Sequence, residues 1–127
     1  MNAEIQIAVE QLSKHVPQLI AIILFGSFGT EYETDQSDLD LAILSSSKLE
    51  VVAMWELSQK IAIQLNKDVD LVDLRQASTV FKFQILSTGK IIFCTNLDEF
   101  ALFETTAFSM YLSFQETRKE ILQDYGG

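Results

Sequence analysis

Ile20-Ala21-Ile22-Ile23-Leu24-Phe25-Gly26-Ser27, then ten residues, then Asp38-Leu39-Asp40-Leu41-Ala42-Ile43-Leu44: this stretch decides how the chain is read. Its first part is apolar and rich in β-branched and aromatic residues, so Ile20–Phe25 predicts a buried strand. Gly26 ends that strand and permits a tight turn. Ser27 is expected to open a short helical turn, where free backbone N–H groups and the helix dipole favour an anionic phosphate. Asp38–Leu44 predicts a second strand. Period two places Asp38 and Asp40 on one face, and Leu39, Leu41 and Ile43 on the other. Two carboxylates on one strand face repel each other unless a cation sits between them. Hard oxygen ligands of this kind suit Mg²⁺. Gly26 and Ser27 therefore read as a phosphate grip, and Asp38 and Asp40 as metal ligands.

A third carboxylate follows in Asp68-Val69-Asp70-Leu71-Val72-Asp73-Leu74, a third strand. Metal-dependent phosphoryl chemistry commonly uses two metals, or one metal and a base near the attacking oxygen. Asp70 is mid-strand and is assigned that role. Asp73 is out of phase and faces the other side, as a strand-end turn residue. Asp68 shares the face of Asp70 but begins the strand, and it reads as a solvated end.

The rest of the chain supplies helices and a fourth strand. Glu4–Val16 predicts a helix with Ile5, Ala8, Val9, Leu12 and Val16 on one stripe. His15 sits at its end, where a cation is mildly favoured, and Pro17 breaks it. Ser45-Ser46-Ser47 reads as a loop with capping potential. Leu49–Leu65 predicts a second helix with Val52, Trp55, Ile61 and Leu65 toward the core. Trp55 could instead stack on a base, but its position on the apolar stripe favours a core anchor. A third helix over Ser78–Ser87 stops at Gly89, and Lys90–Cys94 forms a fourth strand. Cys94 lies in an apolar run and reads as core packing. Leu97–Tyr125 predicts a long terminal helix dense in aromatics: Phe100, Phe103, Phe108, Tyr111 and Phe114. Part of it covers the sheet, and an aromatic left exposed would form a partner surface. The fold class is α/β (α+β): a small mixed β-sheet of about four strands with packed helices. Residues 1–127 read as a single catalytic domain with its C-terminal helix from about residue 97.

Composition narrows the function. A net charge of −9 repels polyanions, so no direct nucleic-acid binding is expected. Acidity suits ATP bound with Mg²⁺, or a basic protein partner. The chain holds no run of eighteen apolar residues, so no membrane helix is expected. The single cysteine and the absence of a basic-then-apolar leader point to a cytoplasmic protein. Nine Lys and Arg residues are present. Arg75 follows the third strand and could point toward the cleft to steady a triphosphate, although a solvated or ion-paired loop arginine is the favoured reading. Lys82 and Lys90 are weaker candidates.

Gly26, Ser27, Asp38, Asp40 and Asp70 together resemble the DNA polymerase β-like nucleotidyltransferase superfamily, and more closely its minimal nucleotidyltransferase branch. Met54–Lys60 and Val69–Thr79 resemble the antitoxin subgroup of that branch, whose members are paired with HEPN-domain toxins. The resemblance implies a polymerase β-like fold and an antitoxin that moves AMP from ATP to a tyrosine of its partner ribonuclease. It also implies Mg²⁺ held by Asp38, Asp40 and Asp70. One departure stands out. Many members follow Gly-Ser with an arginine and then a glycine, where this chain has Thr30 and Glu31. Two other functions are compatible with the residues. The chain could neutralise a partner by steric cover alone, which requires none of the five site residues. It could also modify a small molecule, which usually requires a further acceptor domain.

Overall fold

The computed structural model of the protein describes residues 2–26 and 38–126, the last three by backbone alone. Ser27 and the Thr30-Glu31 departure lie outside the described residues. The element order is α1 (Ala3–His15), β1 (Leu19–Phe25), β2 (Leu39–Ser45), α2 (Val51–Leu65), β3 (Val69–Asp73), α3 (Thr79–Thr88), β4 (Lys90–Cys94) and α4 (Leu97–Gly126). Local chemistry sets the helix ends. The Asn2 side chain accepts from Glu4 N at 2.7 Å and opens α1. The Glu50 carboxylate accepts from Val52 N and Ala53 N at 3.0 and 2.7 Å and opens α2. Those two bonds hold its carboxyl below the usual range. Ser78 Oγ accepts from Phe81 N at 3.1 Å and opens α3.

Among the described residues the four strands form one mixed sheet in the order β3-β2-β1-β4. β1 runs antiparallel to β2 and β4, whereas β2 and β3 are parallel. A parallel pair needs a long crossover, which α2 provides. Period two divides the sheet into two apolar faces. Ile22, Leu24, Leu39, Leu41, Ile43 and Val69 pack with Ile5, Ala8, Leu12, Leu57 and Ile61 of α1 and α2. Ile20, Ile23, Ala42 and Leu44 pack with Ile85 and Phe100 of α3 and α4. β1 is buried through its centre because both faces are covered. Gly89 lets α3 turn into β4: a Cβ there would meet Ile23 Cγ2 at 2.5 Å and the Ile85 carbonyl at 2.6 Å.

Three expectations are corrected. Ser45 is the buried last residue of β2, not a loop residue, and its hydroxyl donates to the Pro17 carbonyl at 2.6 Å. Asp38 precedes β2 instead of opening it. Trp55 and Val52 are not core residues, being 63% and 58% exposed. The buried stripe of α2 runs through Leu57, Ser58 and Ile61, flanked by Met54 and Leu65. Trp55 stands beside that stripe, at the border of the sheet.

Asp73 is a structural residue, as its phase indicates. It pairs with Ile43 and is buried. Its carboxylate accepts from Leu49 N at 2.8 Å, Arg75 N at 3.1 Å and Gln76 Nε2 at 2.8 Å. It thus ties the loop before α2 to the turn after β3. Asp73→Ala leaves these donors unpaired and should destabilise the fold by about 2 kcal/mol. Thermal denaturation checks this, and an unchanged midpoint would show that water replaces the carboxylate.

Candidate active site

Asp40 and Asp70 are direct partners in the parallel register of β2 and β3. Both belong to the face that carries α3, since Leu39, Leu41 and Val69 point the other way. Across β2, Asp40 is opposite Phe25, the last residue of β1. Gly26 follows immediately with φ +79°. A Cβ on Gly26 would collide with the Asp40 carboxylate. The turn therefore comes close enough to Asp40 only because residue 26 lacks a side chain. Site and turn share one end of the sheet, where β1 stops and β2 and β3 begin.

The electrostatics follow from this placement. Asp40 is half-buried, while Asp38 and Asp70 are exposed. Phe25, Val72 and Phe81 pack on the same face, with Phe25 and Phe81 edge to face at 5.8 Å. Burial raises the Asp40 pKa above the ordinary carboxylate value, and the charges of Asp70 and then Asp38 push it further. A carboxylate held among like charges on a half-dry surface is suited to a divalent cation. Among the described residues, no three acidic, histidine or cysteine side chains are gathered closely enough to hold a metal ion. The expected set of Asp38, Asp40 and Asp70 is therefore not assembled as a three-ligand group, and Asp40 and Asp70 are the pair that the register brings together.

The structure separates the other candidates from this cluster. Arg75 Nε donates to the Ser45 carbonyl at 2.5 Å. Ser45 lies at the far end of β2 from Asp40. The Arg75 guanidinium also lies over the Phe103 ring at 5.5 Å, and Lys82 over the same ring at 5.6 Å. Lys90 pairs with Leu24 and so takes the opposite face from Asp40. Arg75 is thus a structural tether, in keeping with the favoured reading of a loop arginine with no role at the triphosphate. His15 stays at the end of α1, its Nδ1 2.9 Å from the Gln11 carbonyl. Cys94 is half-buried in the apolar layer beside α4.

A groove of about 450 Å³ extends from Asp70 along β3. Met54 and Trp55 of α2 form one wall, and Gln76 and Phe81 belong to the other side. Sequence reasoning missed it because it placed Trp55 inside. The available signal was Trp55's offset by one residue from the Met54-Leu57-Ser58-Ile61 stripe.

Comparison with known proteins agrees with this geometry. The family described as polymerase beta, nucleotidyltransferase matches residues 8–98. The protein adenylyltransferase MntA of Shewanella oneidensis is 41% identical over 116 residues, covering 91% of this chain and 83% of MntA. A crystal structure of a toxin–antitoxin with AMP-PNP contains a chain that superposes with a TM-score of 0.85 at 39% identity, covering 99% of this chain and 100% of that one. A structure of tri-AMPylated S. oneidensis HEPN toxin in complex with its MNT antitoxin gives 0.78 at 40% identity, covering 98% and 96%. A structure described as a minimal nucleotidyltransferase, at 20% identity and a TM-score of 0.54, shares the fold. With the family matched over most of its length, this chain belongs to the polymerase beta nucleotidyltransferases, in the group that includes the adenylyltransferase MntA.

Proposed function

We propose that the protein is a cytoplasmic antitoxin that transfers AMP from ATP to a tyrosine of a HEPN ribonuclease partner. One observation carries this reading: Asp40 and Asp70 form one rung facing the same way, and Asp40 lies against the Gly26 turn. An antitoxin acting by steric cover has no use for this costly arrangement. Asp38, Asp40 and Asp70 would hold Mg²⁺, with Asp70 serving the site nearer the acceptor. The metal, when bound, neutralises phosphate charge and polarises the α-phosphoryl group. Gly26 and Ser27 would hold the leaving phosphates. Phe25, Val72 and Phe81 keep water from the reacting face. The tyrosine Oη attacks the α-phosphorus, its proton passes to the Asp70 carboxylate, and the bond to the β-phosphate oxygen breaks. Positioning and charge neutralisation supply most of the rate.

The distal part of α4 is the expected partner surface. Phe83 stacks on Tyr111 at 3.8 Å and meets Phe108 at 5.5 Å, which docks the middle of the helix on α3. Beyond them Leu112 and Phe114 are exposed, Phe114 at 44%. Aromatic residues in such a position concentrate binding energy.

The first test incubates the chain with labelled ATP, Mg²⁺ and the product of its chromosomal neighbour. Label should appear on the neighbour's product, and an absence of transfer would sink the reading. Asp40→Asn and Asp70→Asn should each lower transfer more than about a hundredfold, since loss of a mere supporting partner costs up to that much. A carboxyl whose pKa is raised on folding binds more protons folded than unfolded, so its charge opposes folding above that pKa. Asp40→Asn should therefore be at least as stable as wild type at pH 7. The margin should shrink as pH falls and wild-type Asp40 takes up its proton. A less stable variant at pH 7 would show that the charge is already compensated.

Gly26→Ala combines a left-handed φ with a collision at Asp40, and it should cost about 1–2 kcal/mol of stability and most of the activity. Wild-type transfer by this variant would disprove the close approach. Phe114→Glu should weaken partner binding by about tenfold or more while the isolated chain stays folded. Calorimetric titration with the partner decides this, and unchanged affinity would move the interface elsewhere.

A further inference from the structure

In-line transfer requires the attacking oxygen to approach opposite the leaving phosphate. The sheet order fixes which side that is. The Gly26 turn lies on the β1 side of Asp40, and Asp70 lies on the β3 side. With the leaving phosphates at the turn, the acceptor hydroxyl must arrive across β3. The Trp55 groove is on that side and opens at Asp70.

We propose that this groove seats the acceptor tyrosine of the protein partner, with Trp55 against the phenol ring and Asp70 at its hydroxyl. The inference rests on the AMP-transfer reading above and adds where the substrate residue binds. The chemistry of the walls favours a phenol. Trp55 and Phe81 offer ring surface, Met54 a thioether and Val72 an aliphatic side chain, and Asp70 offers a carboxylate. None of the lining residues is basic, so the groove is a poor seat for a phosphate chain. Among the described residues the outer edge of β3 has no strand partner. Its backbone groups can therefore hydrogen-bond an extended segment flanking the tyrosine. Trp55 is 63% exposed, an arrangement typical of an interface anchor awaiting its partner.

The test exploits the single tryptophan of the chain. Trp55 fluorescence should shift when the partner is added to the full chain, and should stay unchanged with AMP-PNP and Mg²⁺ alone. A partner variant with the acceptor tyrosine changed to alanine should lose most of the shift. In steady-state transfer, Trp55→Ala should raise the KM for the partner about tenfold or more and leave the KM for ATP within about twofold. Trp55→Phe should recover most of the loss. Because Trp55 is exposed, circular dichroism of both variants should match wild type. A shift caused by AMP-PNP, or a raised KM for ATP with the partner's unchanged, would assign the groove to the nucleobase and overturn the proposal. Wild-type kinetics for Trp55→Ala, or no fluorescence response to a bound partner, would overturn it too. If the wild-type chain transfers nothing, the AMP-transfer reading fails, while the fluorescence arm, which needs no turnover, still decides whether the partner enters the groove.

Discussion

Asp40 and Asp70 occupy one rung of a parallel ladder and point to the same face. Like charges directly opposite each other on a sheet are destabilising, and here one is half-buried beside Phe25 and Phe81. Every neighbouring feature is arranged around that conflict. The two flanking apolar faces give β2 a buried centre, which fixes its register: a slip of one residue would drive Asp40 into the layer beneath α1 and α2. Gly26 brings the turn against the carboxylate without a side chain between them. The repulsion persists because the core on both sides over-determines the strands that carry it. A locally unfavourable site held by a favourable scaffold is a mark of function.

Charge elsewhere is managed differently. Arg75 and Lys82 converge on the Phe103 ring, and Arg75 also ties down the end of β2. These cations serve the packing of α3 and α4 at the far end of the sheet from Asp40. Lys90 is committed to the opposite face by its register with Leu24. In a chain of net charge −9, positive charge at the carboxylates then comes most naturally from a bound divalent ion. The backbone N–H groups of the turn would complement it on the phosphate side. Catalysis by this cluster would depend on geometry more than on basic side chains, consistent with phosphoryl transfer as positioning and neutralisation.

The sheet was legible because period two holds through β2 and β3, and is broken only in β1, where the register shifts between Leu19 and Ala21 and between Ile22 and Ile23. Strand period two separates Leu39, Leu41 and Ile43 from Asp40, and Asp73 from Asp70, and the structure keeps both separations. The helices were legible where stripe and stop signals agreed, as with Ser78 and Gly89 around α3. What could not be read was set by contacts distant in sequence. Ser45 is buried because Pro17 accepts its hydroxyl from across the loop. Arg75 is held by a carbonyl thirty residues earlier. Trp55 misled because a mid-helix aromatic reads as core until the neighbouring element is known. α2 has α1 on one flank, but on the other it borders the edge strand β3, and an edge leaves that flank of the helix uncovered.

That uncovered flank connects the fold to its substrate class. The carboxylate cluster lies at the β3 side of the sheet, and a groove leads from it to solvent between α2 and the turn into α3. Among the described residues no further element closes this side. A small-molecule transferase needs a wall there to orient its acceptor. A protein acceptor brings its own wall, because the backbone around the modified residue can lie along the strand edge. The same edge would invite aggregation if left long and apolar, yet β3 is five residues long and begins beside the acids Asp68 and Asp70. A short, acidic, open edge therefore meets two demands at once: it discourages pairing between copies of this chain, and it leaves a protein segment free to approach the carboxylate cluster.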